Sequence, residues 1–191
     1  YKTHREEYEK YWDDINPFIK FGCLKDLKFL DKMKDFCIYK NLAGKYITLP
    51  EYLEAGKEKY ENKVFYVTDE QAQSQYINMF KAAKMDAVIL THNIDQPFIS
   101  QLEQKNEGIK FQRIDADVTD ALKSKTSKKA EKEMEEQAES ISKLMKKALK
   151  NDKITIKVEK LKNKKISSMI TLSEESRRMQ DMMKMYSMPG M

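Results

Sequence analysis

Few side chains in this 191-residue chain stand at spacings that could do chemistry. Cys23 and Cys37 have thirteen residues between them, and His4 and His92 lie far from both. Zinc sites need closely spaced ligand pairs such as C-x-x-C, and neither that nor H-x-x-x-H occurs. Two packed thiols are the plainer reading. No G-x-x-x-x-G-K-[ST] or G-x-G-x-x-G segment is present to cradle a phosphate on backbone amides, and no G-x-S-x-G turn presents a nucleophilic serine. What remains are Thr68-Asp69 and Thr91-His92-Asn93, each at the end of a short apolar run. Asp69 could accept a phosphoryl group or hold a metal ion. Its simpler role is to cap the next helix, a position that Asp favours.

Methionine offers more. Of twelve methionines, Met179, Met182, Met183, Met185, Met188 and Met191 fall in the last thirteen residues. On a helix from about 172 to 186, Met179, Met182, Met183 and Tyr186 share one broad face with Met185 beside them. Flexible, polarizable Met side chains suit surfaces that accept varied partners. The same stripe could equally face the chain's own core.

The elements that must position these residues are read from periodicity. The runs at 64–69, 87–92 and 109–115 are short, and the first two are nearly continuously apolar, as strands buried on both faces are. The intervening segments are long enough for crossover helices, so the three strands should be parallel. The helix at 70–84 points Tyr76, Ile77, Phe80 and Ala83 at the sheet. Asp95 or Gln96 caps the next helix, Pro97 starts it, and Phe98 and Leu102 face inward. The third strand reads as a half-buried sheet edge.

Upstream, Tyr8, Tyr11, Trp12 and Ile15 share a helical face, Asn16-Pro17 should end or kink that helix, and Gly22 should break it. A second helix fits 25–37. Thr48-Leu-Pro-Glu51 spells a capping box for a short helix that stops near Gly56. Downstream, residues 116–133 read as a linker running into a helix. At 128–150, Met134, Ala138, Ile141, Met145 and Ala148 form a coiled-coil-like seam too short to be a coiled coil. Residues 153–161 and 166–171 read as an antiparallel hairpin, and Thr171 with Glu174 as a capping box.

The predicted class is therefore α/β: a small three-layer α/β/α unit with a short parallel sheet, preceded by helices and followed by a second α+β segment with a hairpin and an amphipathic helix. Composition agrees. The chain is 40% hydrophobic and 35% charged, and only five Gly and four Pro argue against a turn-rich β-sandwich. Net charge is +5 from 36 basic and 31 acidic residues, with no basic face interleaved with aromatics, so no nucleic-acid partner is expected. No apolar run reaches membrane-span length. Two cysteines favour a reduced, cytoplasmic setting. The start at Tyr1 rather than Met reads as a piece of something longer.

Several segments then align with one family. Tyr8-Glu-Lys-Tyr-Trp12, Ile19-Lys-Phe-Gly22, Tyr46-Ile-Thr-Leu-Pro-Glu-Tyr52, Phe65-Tyr-Val-Thr68, Ala87-Val-Ile-Leu-Thr-His-Asn-Ile-Asp95 and Ser173-Glu-Glu-Ser-Arg-Arg-Met-Gln180 occur in order and at matching spacing. The chain resembles the heat-shock protein 90 chaperones, closest to the bacterial form. The resemblance implies the end of the large middle-domain unit at 1–45, the small α/β/α unit at 46–118, a linker at 119–133 and the first part of the C-terminal domain at 134–191. It implies a chaperone that binds partly folded client proteins, as a homodimer. ATP and magnesium would be handled by parts of the parent outside these residues, so no catalysis is expected here. The client-binding positions it carries over are Gln96, Pro97 and Phe98, with Met179, Met183, Met185 and Tyr186. The rival reading is a small phosphate- or metal-binding α/β domain using Asp69 and His92.

Overall fold

The computed structural model describes residues 3–116, 128–161 and 168–186. Two compact units emerge, Tyr1–Asp117 with Ile170–Met191, and Val118–Met169. The second body of residues is thus smaller than the expected 134–191 segment, because the terminal helix belongs with the sheet.

The first unit is built around α1 (Arg5–Lys25), one unbroken helix. Pro17 sits inside it, against the expectation of a stop at Asn16-Pro17. A proline there leaves the carbonyl of Asp13 without its helical donor. The Asn16 amide supplies the missing bond, with Nδ2 donating to Asp13 O at 3.0 Å and to Trp12 O at 3.1 Å. Gly22 does not break the helix either. A Cβ there would lie 3.0 Å from the Phe29 ring, so glycine lets α2 (Leu27–Met33) lie close. Asp26 caps α2 by accepting from Lys28 N at 2.8 Å.

A short antiparallel pair follows, β1 (Ile38–Lys40) with β2 (Tyr46–Thr48), which sequence reading did not foresee. Three-residue strands carry too little periodicity to be recognised. Next, α3 (Leu49–Tyr60) opens on the expected capping box. Glu51 N donates to Thr48 Oγ1 at 3.3 Å, and Thr48 N to Glu51 Oε2 at 2.8 Å. The helix runs past Gly56. A Cβ at that position would overlap the Tyr60 ring, which folds back along the helix.

Then comes the predicted β-α-β-α-β unit: β3 (Lys63–Val67), α4 (Ser74–Ala82), β4 (Val88–Ile89), α5 (Asp95–Lys105) and β5 (Lys110–Arg113). The sheet order is β4-β3-β5, and both pairings are parallel, with Tyr66 opposite Val88 and Arg113. Val64, Phe65, Tyr66 and Val67 are all buried, as a central strand covered on both faces requires. Phe65 meets Phe80 and Tyr60 edge-on, with ring centroids 5.0 and 5.7 Å apart. β5 is an outer strand, as its mixed alternation foretold.

Within the second unit, α6 (Lys128–Leu149) exposes Ile141, Leu144, Met145 and Leu149. Its first residues fall where a linker had been expected, and residues 119–127 lie outside the described ones. Among the described residues, 154–160 and 168–171 carry no strand and Leu161 takes part in a single bridge, while residues 162–167 of the expected hairpin lie outside the described ones. Ile154, Ile156 and Val158 are nonetheless half-buried, and Thr155 and Lys157 are exposed. Alternation thus decided which side chains face inward. The last element, α7 (Glu174–Tyr186), returns to the first unit.

Candidate functional site

The strand ends that might have served a phosphate or metal are occupied by the chain itself. Asp69 Oδ1 accepts from Gln71 N at 2.9 Å and Ala72 N at 3.0 Å, forming the turn that leads into α4. Gln73 Oε1 receives Thr68 N at 2.8 Å and Asp69 N at 3.1 Å, plugging the end of β3. Among the described residues, no group of three or more His, Cys, Asp or Glu is placed to hold a metal ion. Cys23 and Cys37 do come together, buried and unbridged. The hydrogen bond between them pushes the Cys37 thiol far up, with burial adding to it, and holds Cys23 lower against the opposing effect of burial.

The residues Gln96, Pro97 and Phe98 open α5, and the structure separates them. Phe98 has no solvent-accessible surface, so a client cannot touch it while the domain is folded. It is a core residue, in keeping with the helical periodicity and not with the surface role carried over from the resemblance. Pro97 is exposed in the first turn, where its missing N–H costs nothing. Gln96 is half-buried, and its Nε2 donates to the Tyr66 hydroxyl at 3.3 Å.

Below Phe98 runs a buried polar chain. Lys20 Nζ donates to Asp95 Oδ1 at 2.5 Å and to Asn16 Oδ1 at 3.1 Å, and His92 N donates to Asp95 Oδ2 at 2.9 Å. Asp95 therefore does not cap α5, against expectation; it ties the preceding loop to the helix start and fastens α5 onto α1.

The terminal helix is the site's most informative part. An amphipathic helix ordinarily turns its apolar face to the protein and its charged face to water. Among the described side chains of α7 the order is different. Glu174, Arg177 and Arg178, at i, i+3 and i+4, are the half-buried docking face. Met179 and Met183, on the far side, are 52% and 59% exposed. The side chains of Met185 and Tyr186 lie outside the described residues.

The dock is the open edge of β5. Lys110 N and Ile114 N bond inward to the β3 side, at Asn62 O and Tyr66 O. Phe111 and Arg113 present their backbone groups outward. Side chains satisfy them. Glu103 Oε1 accepts from Phe111 N at 2.6 Å, Glu174 Oε2 accepts from Arg113 N at 2.7 Å, and Arg178 donates to Phe111 O at 3.1 Å. The charges bind each other too: Arg178 forks onto both oxygens of Glu103 at 2.8 and 3.2 Å and meets Glu174 at 2.9 Å. Tyr66 donates its hydroxyl to Glu174 at 2.6 Å, while Arg177 and Arg113 share Asp115. Burial, then the nearby Glu174 charge, pushes the Tyr66 hydroxyl well up. Burial alone would raise Asp115, but its bond to Arg113 and the two guanidinium charges outweigh that and hold it low. Ser173 Oγ, rather than Thr171, caps the helix by accepting from Ser176 N at 3.2 Å, which leaves Glu174 free to reach the sheet.

Sequence reading missed this arrangement. The available signal was three charges on one face of a helix whose other side carries Met179 and Met183, beside the outer strand of a sheet. It also missed a second exposed apolar strip, Tyr11, Phe18 and Phe21 on α1, where Phe18 is 77% exposed.

Comparison with known proteins follows the same line. The chain is 32% identical over 190 residues to the chaperone protein HtpG of Bacteroides fragilis, a match covering 95% of the chain and 28% of that protein. It is 27% identical over 199 residues to the chaperone protein HtpG of Porphyromonas gingivalis, covering 100% and 29%. It thus spans under a third of the length of these curated relatives. A solved middle domain of a Plasmodium falciparum heat shock protein is similar at 20% identity and a TM-score of 0.48, covering 58% of this chain and 48% of that one. A family profile described as Hsp90 protein matches residues 1–189, and the chain belongs to that family of chaperones.

Proposed function

We propose that this chain supplies a client-holding surface of an ATP-dependent chaperone, and that the surface is the methionine face of α7. The supporting observation is the docking of that helix by its charged side chains. Fully burying a Met side chain is worth roughly 1.5–3 kcal/mol. A helix that leaves Met179 and Met183 more than half in water forgoes much of this, and an outside partner can recover it. The partner is a partly folded protein with exposed apolar segments, which adaptable methionines can accept without a fixed shape. Pro97 and Gln96 belong to the same unit, and in this reading they are polar margin rather than anchor. ATP turnover, magnesium, the homodimer and the cytoplasmic setting are properties of the whole protein in this proposal, and no catalytic step is assigned to these residues.

The test uses the chain itself with a reduced, carboxymethylated unfolded protein as fluorescent probe. Met179→Asp with Met183→Asp should weaken probe binding when compared at equal helix content by circular dichroism. Equal binding by wild type and variant would sink the assignment.

A further inference from the structure

We infer that Glu174 and Arg178 are positioning residues that control whether the methionine face of α7 is presented at all. The inference rests on the client-holding reading and adds a control point to it. Left to apolar burial, α7 would roll so that Met179 and Met183 were buried further and the charges met water. What opposes the roll is the clasp on the β5 edge. Its parts are charge-assisted hydrogen bonds, which are shorter and stronger than neutral ones. They are also backbone-directed. Phe111 N, Phe111 O and Arg113 N can be satisfied only by groups at fixed places along the strand, so the clasp sets the rotation of the helix as well as its attachment.

The clasp has a direction. Glu103 comes from α5, packed beside the strand, and it holds Phe111 N and Arg178 together. Glu174 joins the strand amide of Arg113 to the Tyr66 hydroxyl of the central strand. Burial tends to lower the Arg178 guanidinium, but its bonds to Glu103 and Glu174 outweigh this and raise it, so the cation stays charged throughout. Each contact is thus polar, side-chain mediated and reversible, whereas the sheet's own ladder is backbone to backbone. An element held this way can be released without unfolding the sheet. On release, the apolar face turns inward and covers itself while the strand edge loses its cover. Presentation and edge protection are therefore one state, and concealment is the other.

The test is run on the full chain with Arg178→Lys, Arg178→Ala and Glu174→Gln. Three readouts are taken: binding of the same unfolded probe, helix content by circular dichroism, and the rate at which dilute hydrogen peroxide oxidises Met179 and Met183, followed by mass spectrometry. Arg178→Ala should weaken probe binding roughly tenfold, within the usual span of coupling between sites. It should slow oxidation of both methionines while helix content holds. Arg178→Lys, which keeps the charge but loses the fork, should fall between. Glu174→Gln should resemble Arg178→Ala. Faster oxidation with loss of helix would mean that the clasp merely keeps α7 folded, and unchanged oxidation would mean that it sets no orientation; either overturns the inference. Should the Met179→Asp, Met183→Asp pair leave probe binding intact, the client reading fails instead, and the oxidation rates still judge the clasp.

Discussion

Lys20 and Asp95 form a buried ion pair that the fold can ill afford to break. Both side chains are almost sealed from water, at 4% and 2% exposure, so each charge is tolerable only because the other is present. Removing one partner of such a pair strands the other, which typically costs about 3–5 kcal/mol, whereas removing both can be nearly neutral. Lys20→Met should therefore lower the free energy of urea unfolding by about that amount, and Lys20→Met with Asp95→Asn should recover most of it. A loss below about 1 kcal/mol for the single change would show that water reaches the charge in solution. Gly56 poses the opposite question of sign. Alanine would gain up to about 1 kcal/mol of helix propensity over glycine in α3. Yet its methyl would overlap the Tyr60 ring, whose hydroxyl accepts Asp86 N at 2.7 Å and whose face packs on Tyr52 and Phe65. Overpacking of this kind costs about 1–3 kcal/mol, so Gly56→Ala should lower the melting temperature. A rise would mean that Tyr60 moves freely.

At the scale of elements, the two predictions concern how helices start and how they survive a proline. Glu51 closes the capping box of α3 and also pairs with Arg5 of α1, which draws its carboxyl down from 4.5 to about 2. A lowered folded-state value means that the contribution is complete above the ordinary value and fades as pH falls from about 4.5 towards 2. An NMR titration of the Glu51 carboxyl should show a midpoint near that low value, moving up in Arg5→Ala. An unmoved midpoint would detach α1 from the cap. In α1, Asn16→Ala should cost about 1–3 kcal/mol, since Asp13 O and Lys20 Nζ each lose a partner. Adding Pro17→Ala should return part of that, because a main-chain N–H then reaches Asp13. Additive effects of the two changes would refute the substitution of side chain for backbone. These elements also mark how far sequence reading reaches. The parallel β-α-β-α-β order and the Thr48–Glu51 cap were legible because both are local patterns with a fixed period or offset. The run of α1 through Pro17 and Gly22 was not, because it depends on a side-chain amide and on a ring from another helix. The orientation of α7 was hidden for the same reason: the stripe was visible, but its direction is set by the outer strand β5, more than sixty residues earlier.

For the whole molecule, exposure predicts where the chain opens first. Amides exchange with solvent according to the cost of opening the structure around them, so protection follows apolar packing and ladder bonding. β3 has a hydrogen-bonded neighbour on each side and four consecutive buried residues. In the second unit, α6 leaves Ile141, Leu144, Met145 and Leu149 in water, with Leu144 at 71%. The amides of Val64 to Val67 should therefore exchange slowest and those of α6 fast, with α7 between them, since its anchorage is side-chain mediated. Hydrogen exchange read by mass spectrometry checks the order, and protection of α6 equal to that of β3 would break it. The order bears on the proposed client-holding surface. A surface for unfolded partners must stay apolar without drawing its own scaffold into the contact. In the proposed client-holding reading, Met179 and Met183 stand on a helix clasped to the edge of the parallel sheet, so a partner pulling on α7 would strain only polar, reversible bonds before it reached the core.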